Sequence, residues 1–345
     1  MSKKHFSGLL LVTVVVAAIV LLIPGKTAKE SAFVKRPLLP GMVTAVNEIE
    51  YIRLTGAAGE TIATLTRPSG KWLLMESSQY PADWTVLRQL LTDLAAAEVI
   101  EEKTSKPELY SRLGVEDVAG PDAAGVLIVF AEETGLPSLI VGNKAQGREG
   151  QYVRLEGNDQ SVLIDRALTV PKEMQQWLEL DIIDIPEGEL VEVSISHPEG
   201  ERVHLLKASA DDADFQLQNI PEGREIQSNW TVNSIGGSLA SLRLDSVTPD
   251  KEIDWSDAVE IRVLTADGLQ VIAKLVSAQE QHWISLNAEV YQPSGSDESA
   301  DASGPAERAN RINERVGGWA YEIPQYKSDT MTKRMEDLLQ ATESN

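Results

Sequence analysis

Trp84-Thr85-Val86-Leu87-Arg88-Gln89-Leu90-Leu91-Thr92-Asp93-Leu94 and Trp230-Thr231-Val232-Asn233-Ser234-Ile235 open on the same tripeptide in two distant parts of the chain. In the first, Leu87, Leu90, Leu91 and Leu94 fall at i, i+3, i+4 and i+7, one face of a helix, with Asp83 placed to cap it. In the second, Val232, Ile235, Leu239 and Leu242 make a thinner stripe that Gly236-Gly237 weakens. The same pattern precedes each helix. Ile49, Tyr51-Ile52-Arg53-Leu54, Gly59-Glu60, an alternating stretch around Leu65 and Trp72-Leu73-Leu74 are answered by Val191, Val193, Ile195, Gly200-Glu201, Leu205, Phe215 and Leu217. Both read as strand, turn, strand, strand before a helix.

Further strands follow in each half. Val126 to Phe130, Ser138 to Val141, Tyr152 to Leu155 and Val162 to Ile164 are predicted in the first, and Val259 to Leu264, Val271 to Val276 and Trp283 to Leu286 in the second. Each half closes on proline and a short amphipathic helix, expected over Pro171 to Ile183 and over Pro324 to Leu339. The halves also differ. Only the first has a second small helix, where Ser105 and Glu108 suit a capping box, Pro107 the first turn and Gly114 the end. Only the second has the segment 293–309, rich in Ser, Asp, Gly and Ala without a large apolar residue, which reads as a disordered loop. The expected fold class is α+β: two tandem, duplicated domains over 43–186 and 187–342, with mainly antiparallel sheets. About 310 residues exceed the usual size of a single core, which agrees with two domains.

Ahead of them, Phe6 to Gly25 runs twenty residues without a charged side chain. At about 1.5 Å of rise per residue that run spans the roughly 30 Å hydrocarbon core of a bilayer. No small-x-small cleavage site follows: Ala28 has Lys26 two residues before it and Ala32 has Glu30. The run therefore reads as an uncleaved transmembrane signal anchor at 6–25, with a cytoplasmic tail at 1–5 and a linker at 26–42. The flanking Lys and Arg residues favour the opposite orientation by count, but large trailing domains translocate largely regardless of them. Cysteine is absent from the chain, which suits an oxidising compartment. The expected location is the bacterial inner membrane, single-pass, with the soluble part in the periplasm.

A formal net charge of -22 argues against nucleic-acid binding, which draws on clustered Lys and Arg. No catalytic, cofactor or metal site is read. Gly25-Lys26-Thr27 imitates the end of a phosphate-binding loop, but Val20 stands where that loop needs glycine. His5, His197, His204 and His282 lack metal-ligand spacing. Asp211, Asp212 and Asp214 suggest a calcium loop, yet Leu217 and Gly223 occupy the positions of its glycine and glutamate. Arg148, Tyr152 and Arg154, on an expected hairpin, are the residues proposed for a partner surface.

Several motifs, in their order, resemble the bacterial family catalogued as domain of unknown function 4340. They are Pro81-Ala82-Asp83-Trp84, Lys106-Pro107-Glu108-Leu109-Tyr110, Leu113-Gly114-Val115, Leu139-Ile140-Val141-Gly142, Tyr152-Val153-Arg154, and Trp177-Leu178 before Asp181-Ile182-Ile183. The resemblance covers most of 43–184 and, more loosely, the second half. It implies an N-terminally anchored envelope protein, often encoded beside the permease and ATPase of ABC-type transport systems, and it carries no assigned chemistry. The expected function is that of a membrane-anchored periplasmic accessory or scaffold protein whose partners are envelope proteins, including ABC transporter subunits. The alternative is an extracytoplasmic enzyme or ligand-binding protein acting on a glycan or peptide. Convergent Asp, Glu or His in one pocket would mark the enzyme, and an exposed apolar patch the scaffold.

The anchor reading predicts that protease added to spheroplasts digests the soluble part while the intact chain fractionates with membranes. A protected chain, or a mature N-terminus near residue 30, would reverse the orientation or the cleavage assignment.

Overall fold

The computed structural model describes residues 33–278, 280–292 and 303–341. The expected anchor at 6–25 lies outside them, as do the start of the linker and residues 293–302. Among the described residues no helix is long and apolar enough to cross a membrane.

The fold is α+β and its strand pairings are antiparallel. The first sheet is built from β1 (Arg36–Pro37), β2 (Tyr51–Thr55), β3 (Thr61–Thr66), β4 (Leu73–Leu74), β5 (Tyr80–Pro81), β6 (Glu98–Glu102), β7 (Val126–Phe130), β8 (Leu139–Lys144), β9 (Gln151–Leu155) and β10 (Ser161–Ile164). Their spatial order is β1-β6-β10-β9-β8-β7-β2-β3-β4-β5. A two-stranded ribbon pairs β11 (Asp181–Asp184) with β15 (Ser241–Arg243). The second sheet takes β12 (Leu190–Ser196), β13 (Arg202–Leu206), β14 (Gln216–Leu217), β16 (Ser246–Pro249), β17 (Val259–Thr265), β18 (Leu269–Ala278), β19 (Gln281–Val290) and β20 (Trp319–Glu322). Its order is β14-β13-β12-β17-β18-β19-β20-β16. Written from the other end, the first sheet contains β4-β3-β2-β7-β8-β9-β10-β6, and the two orders coincide position by position.

After α1 (Met42–Ala45), the long helix α2 (Trp84–Ala96) forms as its sequence dictates. The Asp83 side chain accepts from the amides of Thr85 (2.7 Å) and Val86 (3.2 Å), and Leu87, Leu90, Leu91 and Leu94 are buried. Burying one such side chain contributes about 1.5–3 kcal/mol. The short α3 (Tyr110–Leu113) ends at Gly114 with φ +67°. This turn lies directly on the sheet. A Cβ at Gly142 would stand 2.4 Å from the Leu113 carbonyl oxygen, so β8 needs glycine there.

Other expectations need correction. No capping box forms at Ser105. Lys106 precedes the turn, and its amide is held by Thr104 Oγ1 at 3.1 Å. The second-half helix α4 (Asn229–Gly236) stops before Leu239 and Leu242, and Leu242 belongs to β15. A Cβ at Gly236 would meet the Phe215 ring at 2.3 Å, so the helix packs there by close approach. The closing helix expected over Pro171 to Ile183 is one 3-10 turn, Met174–Trp177, followed by β11. In the second half α6 (Gln325–Met331) and a 3-10 turn, Met335–Leu338, divide the segment between them. Leu38, Leu39 and Met42, within the expected linker, are buried.

The largest correction falls on 293–309. Residues 303–309 begin a helix, α5 (Ser303–Val316), whose Pro305, Ala309 and Val316 are buried. Small side chains let it lie close to β18 and β19, and polar clamps replace large apolar contacts. Arg308 reaches Glu189 at 2.6 Å and Asp267 at 2.7 Å. The Asn313 amide pairs with the Ala288 backbone at 2.7 and 2.8 Å, as a neighbouring strand would.

Buried side chains from both sheets form one contiguous core. Leu90→Ala or Leu94→Ala should therefore cost about 2 to 5 kcal/mol, measured by urea unfolding. A loss below about 1 kcal/mol would show that the stripe does not bear the packing assigned to it.

Candidate functional site

The sequence-proposed residues Arg148, Tyr152 and Arg154 lie together near one end of the first sheet, and each has a contact within the chain. Arg148 pairs with Glu101, whose carboxyl is held below the usual range by hydrogen bonds from Lys103 and then Arg148. The Tyr152 ring lies 5.9 Å from Lys103 Nζ. Arg154 donates to the carbonyls of Val115 (2.8 Å) and Asn158 (3.2 Å) and stacks over Tyr110 at 4.7 Å. Tyr110 Oη in turn donates to the Asp159 carbonyl at 2.6 Å. These residues hold the α3 turn against the sheet. His204 faces Glu192 at 3.0 Å and His282 faces Ser277 at 2.8 Å, while His197 is buried. Asp212 and Asp214 bind Ser209 and Asn233. Among the described residues no cluster of His, Asp or Glu could hold a metal.

The arrangement with the most chemistry is a cleft of about 620 Å³ between the two sheets. Its first wall is the β3–β4 turn, where Arg67, Gly70, Lys71 and Trp72 come in sequence order. Gly70 takes φ +82°, which a side chain would strain, and Pro68 stiffens the same turn. Tyr80, Ala82 and Trp84 form the floor between β5 and α2. The far wall comes from the second half: Arg311, Glu314 and Arg315 on α5, and Trp319 at the start of β20.

Local contacts fix these side chains. Arg67 donates to the Asn47 carbonyl at 2.5 Å and lies 5.5 Å over the buried Trp72 ring. Tyr80 meets Trp319 edge-on, centroids 5.2 Å apart at 87°, and Tyr321 behind it at 6.0 Å and 81°. Burial raises the pKa of both phenols. Arg315 ties α5 to the segment entering β11 through Glu179 at 2.9 Å and the Asp181 carbonyl, while its Nε is buried without a partner. Trp84 is 51% exposed and also lines a smaller pocket of about 300 Å³ next door, shared with Glu179 and Arg243. The cleft offers a cationic, aromatic surface for binding. Sequence reading missed it because its walls are distant in the chain and Arg311, Glu314 and Arg315 follow a segment read as a loop.

Fold and cleft together define a two-sheet α+β protein with a cationic, aromatic groove where its halves meet. The family described as a domain of unknown function (DUF4340) matches residues 72–259, more than half of the chain, and the chain belongs to that family. The matched region runs from the first cleft tryptophan to the start of β17. No curated protein and no solved structure matches the chain.

The cleft geometry separates two tryptophans by role. Trp72→Ala should destabilise by about 3–5 kcal/mol, as buried aromatic truncations do. Trp84→Ala should stay within about 1 kcal/mol of wild type because its ring is half in solvent. Equal losses in thermal unfolding would mean that Trp84 is a packing residue and not a free cleft surface.

Proposed function

We propose that this protein is a membrane-anchored periplasmic accessory protein of an ABC-type transport system, and that it works by holding a protein partner in the inter-sheet cleft. The composition of the cleft carries this reading. Tryptophan, tyrosine and arginine are the side chains that dominate protein-protein hot spots, where they sit in desolvated centres. Three tryptophans, one tyrosine and three arginines line this single groove. The uncharged run at 6–25 supports the anchor, and the family resemblance supports the transport context. A shared membrane raises the local concentration of two tethered proteins, so a modest interface suffices. The coinciding strand orders further support two domains that arose by duplication, with α5 inserted into the second.

Mild crosslinking in intact cells, followed by membrane solubilisation, tests the reading. The wild-type chain should bring down transporter subunits, and Trp84→Ala should lose them at unchanged abundance and stability. Replacing 1–25 by a cleavable signal should impair function without unfolding the released form. Unaltered capture by Trp84→Ala would remove the cleft from the interface, and full activity of the released form would remove the tether from the mechanism.

A further inference from the structure

Resting on the cleft as a docking site, we propose that its occupant is an acidic polypeptide segment: Asp and Glu residues around one large apolar side chain. The charges of the groove carry the argument. Acids outnumber cations 53 to 31 in the chain, yet four cations and two acids line this cleft. Glu179 is already matched by Arg315 at 2.9 Å. Arg311 approaches Glu307 only at 4.0 Å, with both side chains more than two-thirds exposed, an arrangement that contributes little. Arg67 is spent on a carbonyl and a ring, and among the described residues neither it nor Lys71 has a carboxylate partner. Three cations thus face the groove with only Glu314 among them, in a chain rich in acids that could have paired with them. Carboxylates arriving from outside would give each a charge-assisted partner.

The apolar part of the groove selects a polypeptide. Tyr80 and Trp319 are turned edge-on against each other and Trp72 lies under Arg67. Trp84 alone stands free to half its surface. That leaves one open ring for one apolar side chain to pack on, whereas a polysaccharide needs a row of open ring faces for consecutive sugars. An uncharged glycan would also leave Arg67, Lys71 and Arg311 without counter-charge.

The test uses the full chain in detergent as bait for a random heptapeptide phage library, with Trp84→Ala as counter-selection. Selected peptides should carry net negative charge and one aromatic or large aliphatic residue. The best of them, labelled and followed by fluorescence anisotropy, should bind at least about tenfold more weakly to Lys71→Glu/Arg311→Glu. Both positions are exposed, so the double variant should keep its circular dichroism and melting profile. Trp84-dependent peptides that are neutral or basic would overturn the acidic occupant and leave the docking site standing. Recovery of no Trp84-dependent peptide would overturn both. Tighter binding of oligogalacturonate than of the selected peptide would assign the groove to an acidic glycan instead.

Discussion

Tyr80 sits where β5, the outer strand of the first sheet, meets β20 of the second, and its edge-on contacts with Trp319 and Tyr321 join the two halves. Pairs of this geometry contribute about 0.5–1.5 kcal/mol beyond the area they bury. Burial raises the pKa of both phenols further above the physiological range. The four residues that follow Tyr80 carry the neighbouring tasks. Glu179 donates its amide to the Pro81 carbonyl at 3.2 Å, Ala82 bridges to Leu178, and Asp83 donates to Trp177 at 2.8 Å, which covers the sheet edge. Asp83 also caps α2, and Trp84 then projects into the groove. An edge left open would invite pairing with another chain, so the same contacts close the sheet and shape the cleft.

What distinguishes the two halves creates the site. β9 and β10 are joined by a short turn, whereas their counterparts β19 and β20 are separated by the segment that holds α5. That helix delivers Arg311, Glu314 and Arg315 to the groove, and Arg308 and Asn313 fix it to the second sheet. The paired tryptophans show the same asymmetry. Trp84 is 51% exposed and shares the cleft with α5 and Trp319, while Trp230, at the matching start of α4, is 77% exposed.

Much of the fold was legible in the sequence because it rests on local periodicity. The α2 stripe, its Asp83 cap and the alternating strands follow from spacing alone, and the match to the family agrees with the motifs. Errors arose where tertiary contacts override local signals. α5 has too few large apolar residues to announce itself, but Pro305, Ala309, Ile312 and Val316 recur at helical spacing. β20 was missed because the segment that holds α5 separates it from β19 in the chain. Arg148, Tyr152 and Arg154 were visible as polar residues on a hairpin, but their partners Glu101, Lys103 and Val115 lie elsewhere in the chain. The groove unites residues from 67 to 319, and no short-range pattern reports such a meeting.

Charge gives the groove a second property. A body with net charge -22 repels an acidic partner over most of its surface, and the attraction of Arg67, Lys71 and Arg311 is local to the groove. At physiological ionic strength screening confines these fields to about 8 Å, so an acidic segment must already be close before the cleft can hold it. In the anchored arrangement proposed above, confinement to one membrane would supply that proximity, and the tether and the local cationic groove would then act as parts of one selection, by where a partner resides as much as by what it carries.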